Sequence, residues 1–343
     1  MSPLTQIIEA LRSTTLSTLR ETFDTQAPCA LIGFNEYANV GDHAIWLGER
    51  ALLRQLGVSI VYAASASTFS ATGLRARLKR GTILLQGGGN FGDLWGLQPF
   101  RERIIADFPD YPIVQLPQSI CFLDAKNLDR CKTVMSGHPD VRLLVRDSQS
   151  LALAQEHFAA PARLCPDMAI GLGMVRSRRR PVMDVLWLYR DDRESSQPFD
   201  IQLGPGQRVR DWVGPEGRFA RRASFALLRA ADRVSVTAAG TQRLRLSLFD
   251  AMAHWRVRFG LQLLQRAKLV VSNRLHGHIL CALLDKPHVI LPDRYGKIAS
   301  FYGVWTSGLE NAHFTRSLAQ AANAVASYLS GERLKGGESG PLS

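Results

Sequence analysis

Arg274 and His276 stand two residues apart at a corner of the chain. Before them runs a short apolar stretch, Leu269, Val270 and Val271, which reads as a buried parallel strand. Ser272 and Asn273, both helix N-cap types, come next, and Ile279, Leu280, Leu283 and Leu284 follow at helical spacing. In an open α/β sheet, ligands bind outside the carboxyl ends of the strands, where helices begin. The free N–H groups and positive dipole end of a helix start favour an anion there. Arg274 adds forked donors that suit a carboxylate or phosphate. His276 adds a side chain that trades a proton near neutral pH, and His278 shares the corner. Taken singly, Arg274 is equally a cap for a nearby carbonyl or a partner of Asp285, and His276 a satisfied turn histidine. Their crowding at one corner, and similar corners elsewhere, point instead to an anion site with an acid/base built in.

Asn39-Val40-Gly41-Asp42 follows the first strand, where Gly41 permits a tight turn and Asp42 either caps the next helix or orients a hydroxyl. Residues 86–93, QGGGNFGD, match G-x-G-x-x-G, but they follow the third strand, and no acid ends the next one, which reads as stopping at Leu116. The glycines there suit close backbone approach to a sugar or phosphate, with Asn90 and Asp93 available for hydroxyls. Arg146 closes another strand beside the capping candidates Asp147 and Ser148, which leaves its guanidinium free to reach the cleft. Asp167 could face the same cleft. In the second half, Arg190 and Asp191 end one strand, while Arg294 and Lys297 follow another. Arg146, Arg190, Arg274 and Lys297 thus converge on one expected cleft. No carboxylate or histidine cluster has metal-ligand spacing, and His276-x-His278 alone is too little for zinc.

These corners need a scaffold of alternating strands and helices. Apolar runs at Cys29–Phe34, 59–64, 82–86, 113–116 and 142–145 alternate with helical stretches at 42–55, 99–108 and Ser148–His157, which predicts βαβ units around a parallel sheet. The rhythm breaks after Met174 at VRSRRRP, then resumes with strands at 184–189, 233–237, 269–272 and 288–291 and a final helix over 312–329. Residues 191–217 are polar and rich in Gly and Pro, and read as a loop. The sequence therefore predicts an α/β protein of two Rossmann-like domains facing across a cleft, 1–175 and 181–330, with a frayed tail at 331–343. The 343 residues suit two domains, and 46% apolar with 21% charged content describes a globular chain. Forty-two Lys and Arg against 30 Asp and Glu leave a net charge of +12, which favours anionic partners. Five scattered cysteines without C-x-x-C read as buried thiols. The first residues read as a helix rather than a signal peptide, and no apolar run is long enough to span a membrane.

The set NVGDHAI, LLQGGGNFGDLW, VRDSQS, CPDMAIGL and VVSNRLHGHILCALLDKPHVIL, in this order over about residues 30–302, resembles the polysaccharide pyruvyltransferase family. The resemblance implies a two-domain fold like that of GT-B glycosyltransferases. It also implies transfer of pyruvate from phosphoenolpyruvate onto two hydroxyls of a sugar, forming a cyclic ketal and releasing phosphate. Carried over by motif, Arg146, Arg274, Leu275 and His276 bind the donor, with Lys297 beside it in the donor-side C-terminal domain and Asp42 nearer the acceptor. Asn90 and Arg190 join them as substrate-binding candidates, and His276, Arg274 and Asp42 are the catalytic ones. The acceptor implied is a sugar of an exopolysaccharide repeat unit linked to polyprenyl diphosphate, and the place of work is cytoplasmic, peripheral on the inner face of the plasma membrane. No cofactor or metal is implied. The chemistry agrees: phosphoenolpyruvate carries a carboxylate and a phosphate, and addition at its C2 needs a proton at C3, which His276 is placed to give.

Two other classes compete. A GT-B nucleotide-sugar glycosyltransferase would need ribose and base contacts, for which the sequence offers no residues. A basic nucleic-acid-binding protein is suggested by the charge and by the runs at 178–180 and 221–222, which lack interleaved aromatics and any binding motif. Those runs read instead as surface that an anionic membrane could attract.

Overall fold

The computed structural model describes residues 2–176, 179–213, 239–332 and 334. The expected strand at 233–237, residue 178 of the run at 178–180, the run at 221–222, and most of the expected tail lie outside the described residues. Within them the chain forms two all-parallel sheets.

The first sheet has the order β2-β1-β3-β5-β6-β7, with β4 added against β5. Its strands are β1 (Cys29–Phe34), β2 (Ile60–Ser65), β3 (Thr82–Leu85), β4 (Gly88–Gly92), β5 (Ile113–Cys121), β6 (Val141–Val145) and β7 (Ala162–Leu164). Between them lie α2 (Val40–Gln55), α3 (Ala71–Arg77), α4 (Gln98–Asp107), α5 (Ala125–Ser136) and α6 (Ser148–His157), after an opening α1 (Pro3–Thr22) that Ser2 caps. The second sheet has the order β12-β11-β10-β8-β9, from β8 (Met183–Leu188), β9 (Gln207–Arg210), β10 (Ala267–Ser272), β11 (His288–Ile290) and β12 (Ala312–Phe314). Its helices are α7 (Ala239–Gln265), α8 (Leu275–Leu283), α9 (Lys297–Phe301) and α10 (Leu318–Leu329).

Both sheets reverse their winding beside their first strand, between β1 and β3 in one and between β8 and β10 in the other. At such a reversal the connections leave to opposite faces and open a crevice at the strand ends. The Asn35–Asn39 turn, the glycine run, Arg190 and Arg274 all sit at these two crevices.

Four expectations need correction. β5 does not stop at Leu116 but runs on to Cys121, because β4 pairs with its second half. Pro117 falls at a register shift between Gln115 and Gln118, where its missing N–H costs no regular ladder bond. The glycine run is therefore an added strand as well as a loop, with Gly88 at φ 139° and Gly92 at φ 114°, values that L side chains rarely adopt. Residues 191–217 are not all loop, since edge strand β9 lies within them. The final helix begins only at Leu318, after β12, because Ser317 caps it and the preceding residues pair with β11.

The two sheets share an apolar core. Buried Phe34, Trp46 and Leu52 of the first half join Leu186, Phe249 and Val270 of the second. Phe34 stacks on Phe249 with ring centroids 4.1 Å apart and planes 5° from parallel. Arg50 and Trp46 of α2 both bind Asp250 of α7, at 3.1 and 2.8 Å. Gly48 of α2 lies flat against the Met168 carbonyl, where any Cβ would collide. A helix wedged this tightly fixes how the two crevices face each other.

Candidate functional site

Between the crevices lies a cavity of about 450 Å3. Asp42, Asn90, Arg146, Arg190, Arg274, Leu275, His276 and Lys297 all line it. These residues come from different strand ends of both halves, so the convergence expected from the sequence is present in space.

Arg274 is the N-cap residue of α8, displacing Ser272 and Asn273 from that role. Ser272 Oγ instead accepts from the Arg274 N–H at 3.0 Å, and the Asn273 side-chain oxygen accepts from the Arg190 N–H at 2.8 Å. These bonds fix the turn and turn the Arg274 side chain to the cavity. There its Nε and Nη2 donate to the two oxygens of Asp211, each at 2.6 Å. The pairing with Asp285 does not occur; Asp285 accepts from Asn311.

His276 packs against the start of α2. Gly41 lies so close beneath its ring that a Cβ there would overlap the imidazole. Its Nε2 faces Asp167 Oδ2 at 3.4 Å. That same oxygen accepts from Arg146 Nη1 at 2.6 Å, and Asp167 is fully buried. Burial alone would raise the Asp167 pKa, but His276 and Arg146 outweigh it and hold the carboxyl well below the usual range. Arg146 is thus not free, as expected, but clamped, with its Nε also on Ser119 at 2.8 Å.

Asp42 sits in the first turn of α2 without capping it; Asn39 is the cap and also donates to Asp42 Oδ2 at 2.9 Å. Burial raises the Asp42 pKa, against the pull of His276, Asn39 and Arg146. A carboxyl so placed exchanges a proton closer to neutrality than an ordinary aspartate.

Lys297 opens α9 and pairs with Glu194 at 3.1 Å. Arg190 grips both Glu194, at 2.5 Å, and Asp192, at 2.8 Å. Trp95 from the first half donates to the other oxygen of Glu194 at 2.7 Å. Burial opposes ionisation of Glu194, yet Lys297 and Arg190 prevail and lower its pKa. The cations that line the cavity therefore each hold a carboxylate. The sequence reading missed Asp211 and Trp95, because nothing local marks a partner 63 or 99 residues away, and it missed Glu194 because that residue, four after Arg190, lies in a stretch that reads as a polar loop.

Three candidates fall away. Asp93 is occupied by the N–H groups of Leu123 and Asp124 and by Asn127. Arg294 is exposed and outside the cavity lining. His278 turns into the core, between His288 Nε2 and Thr306 Oγ1, each at 2.7 Å. Asn90 does line the cavity, though its oxygen accepts from Arg101 and Gln118 at 2.7 and 2.9 Å, which leaves its amide nitrogen for a ligand. Among the described residues no group of three or more His, Cys, Asp or Glu is arranged to hold a metal ion, and no helix is long and apolar enough to cross a membrane.

The arrangement can hold a small dianion between cations of the second half and present it to His276 and Asp42. Comparison with known proteins gives the family. Residues 39–207 and 260–293 match the family described as polysaccharide pyruvyl transferase. The chain is 29% identical over 311 residues to the putative pyruvyl transferase EpsO of Bacillus subtilis (strain 168), covering 90% of this chain and 94% of that protein. It is 30% identical over 292 residues to pyruvyl transferase 1 of Schizosaccharomyces pombe, covering 81% and 70%. A solved structure of an uncharacterized protein from Klebsiella pneumoniae superposes with a TM-score of 0.56 over 90% of this chain and 99% of that one, at 13% identity, which speaks for the fold alone.

Proposed function

The chain belongs to the polysaccharide pyruvyl transferase family, and from that premise we infer that its pyruvyl donor is phosphoenolpyruvate and its product a cyclic ketal on a sugar. The observation that carries this reading is the meeting of Arg146, Arg190, Arg274 and Lys297 with His276 and Asp42 around one cavity. Phosphoenolpyruvate has two anionic groups on adjacent positions of a three-carbon frame. Arg274 now grips Asp211 with two parallel bonds, and a donor carboxylate of the same planar shape takes that seat. The donor phosphate displaces Glu194 from Lys297 and Arg190. Leu275 walls the apolar methylene. In this division of labour the half over 181–330 holds the donor, and the half over 1–175 receives the acceptor.

His276 gives its proton to C3, which leaves positive charge at C2 shared with the phosphate oxygen. Asp167 orients the ring and complements its charge while it carries the proton. One sugar hydroxyl adds at C2 and loses its proton to Asp42. The C2–O bond to phosphate then breaks, and the leaving phosphate takes the bonding pair. A neighbouring hydroxyl of the same sugar closes the ring, and its proton leaves with the phosphate. Asn90 offers its amide to a sugar oxygen. The acceptor sugar belongs to a lipid-linked repeat unit, whose polyprenyl diphosphate places the work at the inner face of the plasma membrane.

The test is incubation with phosphoenolpyruvate and candidate lipid-linked oligosaccharides. Release of one phosphate for each product that has gained the mass of pyruvic acid less one water supports the reading. Transfer of a hexose from a nucleotide sugar instead would make the protein a glycosyltransferase and end it.

A further inference from the structure

A second concavity lies away from the cavity, on the flank of α7. It is a shallow groove of about 370 Å3 with an apolar floor that includes Leu47, Leu172, Val257 and Leu261. Arg176, Arg179 and Arg258 line its rim, and no carboxylate does among the described residues. Gln262 joins two of these cations. With its amide oxygen turned toward them, it accepts from Arg258 Nε at 3.1 Å and from Arg179 Nη2 at 3.2 Å. Two exposed guanidinium groups are thus drawn onto one neutral oxygen, with no carboxylate in the groove lining among the described residues. Like charges so close repel, and an anion with several acceptor oxygens would relieve them.

Beside Arg243, Ser247 and His254, the exposed surface of α7 carries two large apolar side chains where water would favour polar groups. Leu244 is 49% exposed and Trp255 is 46% exposed. Helical spacing sets Leu244, Ala251, Trp255, Arg258 and Gln262 along one side of the helix. The only acid in this helix, Asp250, is tied down by Arg50 and Trp46 on the packed side. An apolar stripe with an indole, bordered by unneutralised arginines and a groove for a hydrocarbon chain, has the chemistry of a membrane interface.

We propose that this side of α7 docks on an anionic phospholipid surface, with lipid phosphates at Arg179 and Arg258 and the Trp255 indole among the headgroups. The net charge of +12 draws the whole molecule toward such a surface. Nothing in this proposal depends on which donor or acceptor the cavity takes.

Sedimentation of the full chain with vesicles tests it, using phosphatidylcholine alone or mixed with phosphatidylglycerol, at low and high salt. The wild type should bind the anionic vesicles, lose most binding at high salt, and ignore the neutral ones. The double variant Arg179→Gln with Arg258→Gln should partition about thirtyfold less well. Trp255→Ala should also bind several-fold more weakly. All these positions are surface ones, so melting temperature and phosphoenolpyruvate binding should match the wild type, which separates this test from that of the cavity. Absence of vesicle binding by the wild type, or equal binding by the double variant, overturns the proposal. So does binding to duplex DNA that depends on Arg179 and Arg258 when vesicle binding does not, an outcome that would make the face a nucleic-acid surface.

Discussion

At the scale of single residues, the account rests on a forked cation, a proton donor and a carboxyl of raised pKa. Arg274→Lys keeps the charge but loses the planar fork that now holds Asp211 in two bonds. A charge-assisted hydrogen bond contributes roughly 1.5–3 kcal/mol, so its loss should weaken donor binding by about tenfold or more in calorimetry. His276→Gln should lower turnover by about a hundredfold or more and change donor affinity much less, provided that it melts near the wild type. Near-normal turnover in a folded His276→Gln enzyme would move the proton to another group. Asp42 must be ionised to accept a hydroxyl proton, and burial raises its pKa. Activity should therefore fall on acidification at a higher pH than an ordinary aspartate would set, and Asp42→Asn should remove that limb of the pH–rate profile together with most of kcat. These residues were legible in the sequence because each lies where the chain passes from a strand into a helix, and polar groups there have no core to join. Their counter-charges were not legible, since Asp211 meets Arg274 and Glu194 meets Lys297 only once the second half has folded, and Glu194, four residues after Arg190, sits in a stretch that reads as a polar loop.

At the scale of elements, α2 connects site and core. Its first turn carries Asp42, its Gly41 lies under the His276 ring, and its Trp46 and Arg50 hold α7. Gly41→Ala should therefore displace His276 without touching Arg274. Turnover should drop at least tenfold while phosphoenolpyruvate affinity holds, a split that general unfolding would not give. The loop that carries Glu194 makes the opposite prediction. Glu194→Gln removes a negative charge from Lys297 and Arg190, so the donor should bind several-fold more tightly, while Lys297, left without a carboxylate partner as Arg190 keeps Asp192, lowers the melting temperature. Weaker binding would mean that Glu194 orients Lys297 rather than holding its place. Most strands and helices were readable from apolar runs and caps. β9 and the long β5 were not, because an edge strand of alternating polar residues and a strand crossing Pro117 both imitate loops.

At the scale of the whole molecule, one continuous core beneath the cavity sets the distance between donor cations and acceptor carboxyl. Buried in it, His278 and His288 are held neutral: burial lowers the pKa of His278 well below its usual value and that of His288 to about 4. In the unfolded chain they take up protons from roughly pH 6.5 downward. The folded state resists that uptake, so stability should be full above pH 6.5 and fall steadily as pH drops toward 4. Melting temperature measured across that range should decline in the wild type and decline less in His288→Gln. The two-sheet plan and the position of the cleft could be read from the alternation of strands and helices. The shared core could not, since apolar side chains do not announce which sheet they will bridge. The central claim is that this cavity, formed where the two winding reversals meet, receives phosphoenolpyruvate as donor. Calorimetric titration of phosphoenolpyruvate into the protein, in chelator and without nucleotide, tests it most directly. Saturable binding to one site, weakened by Arg274→Lys, is the result this account requires; affinity that appears only for a nucleotide sugar would contradict it.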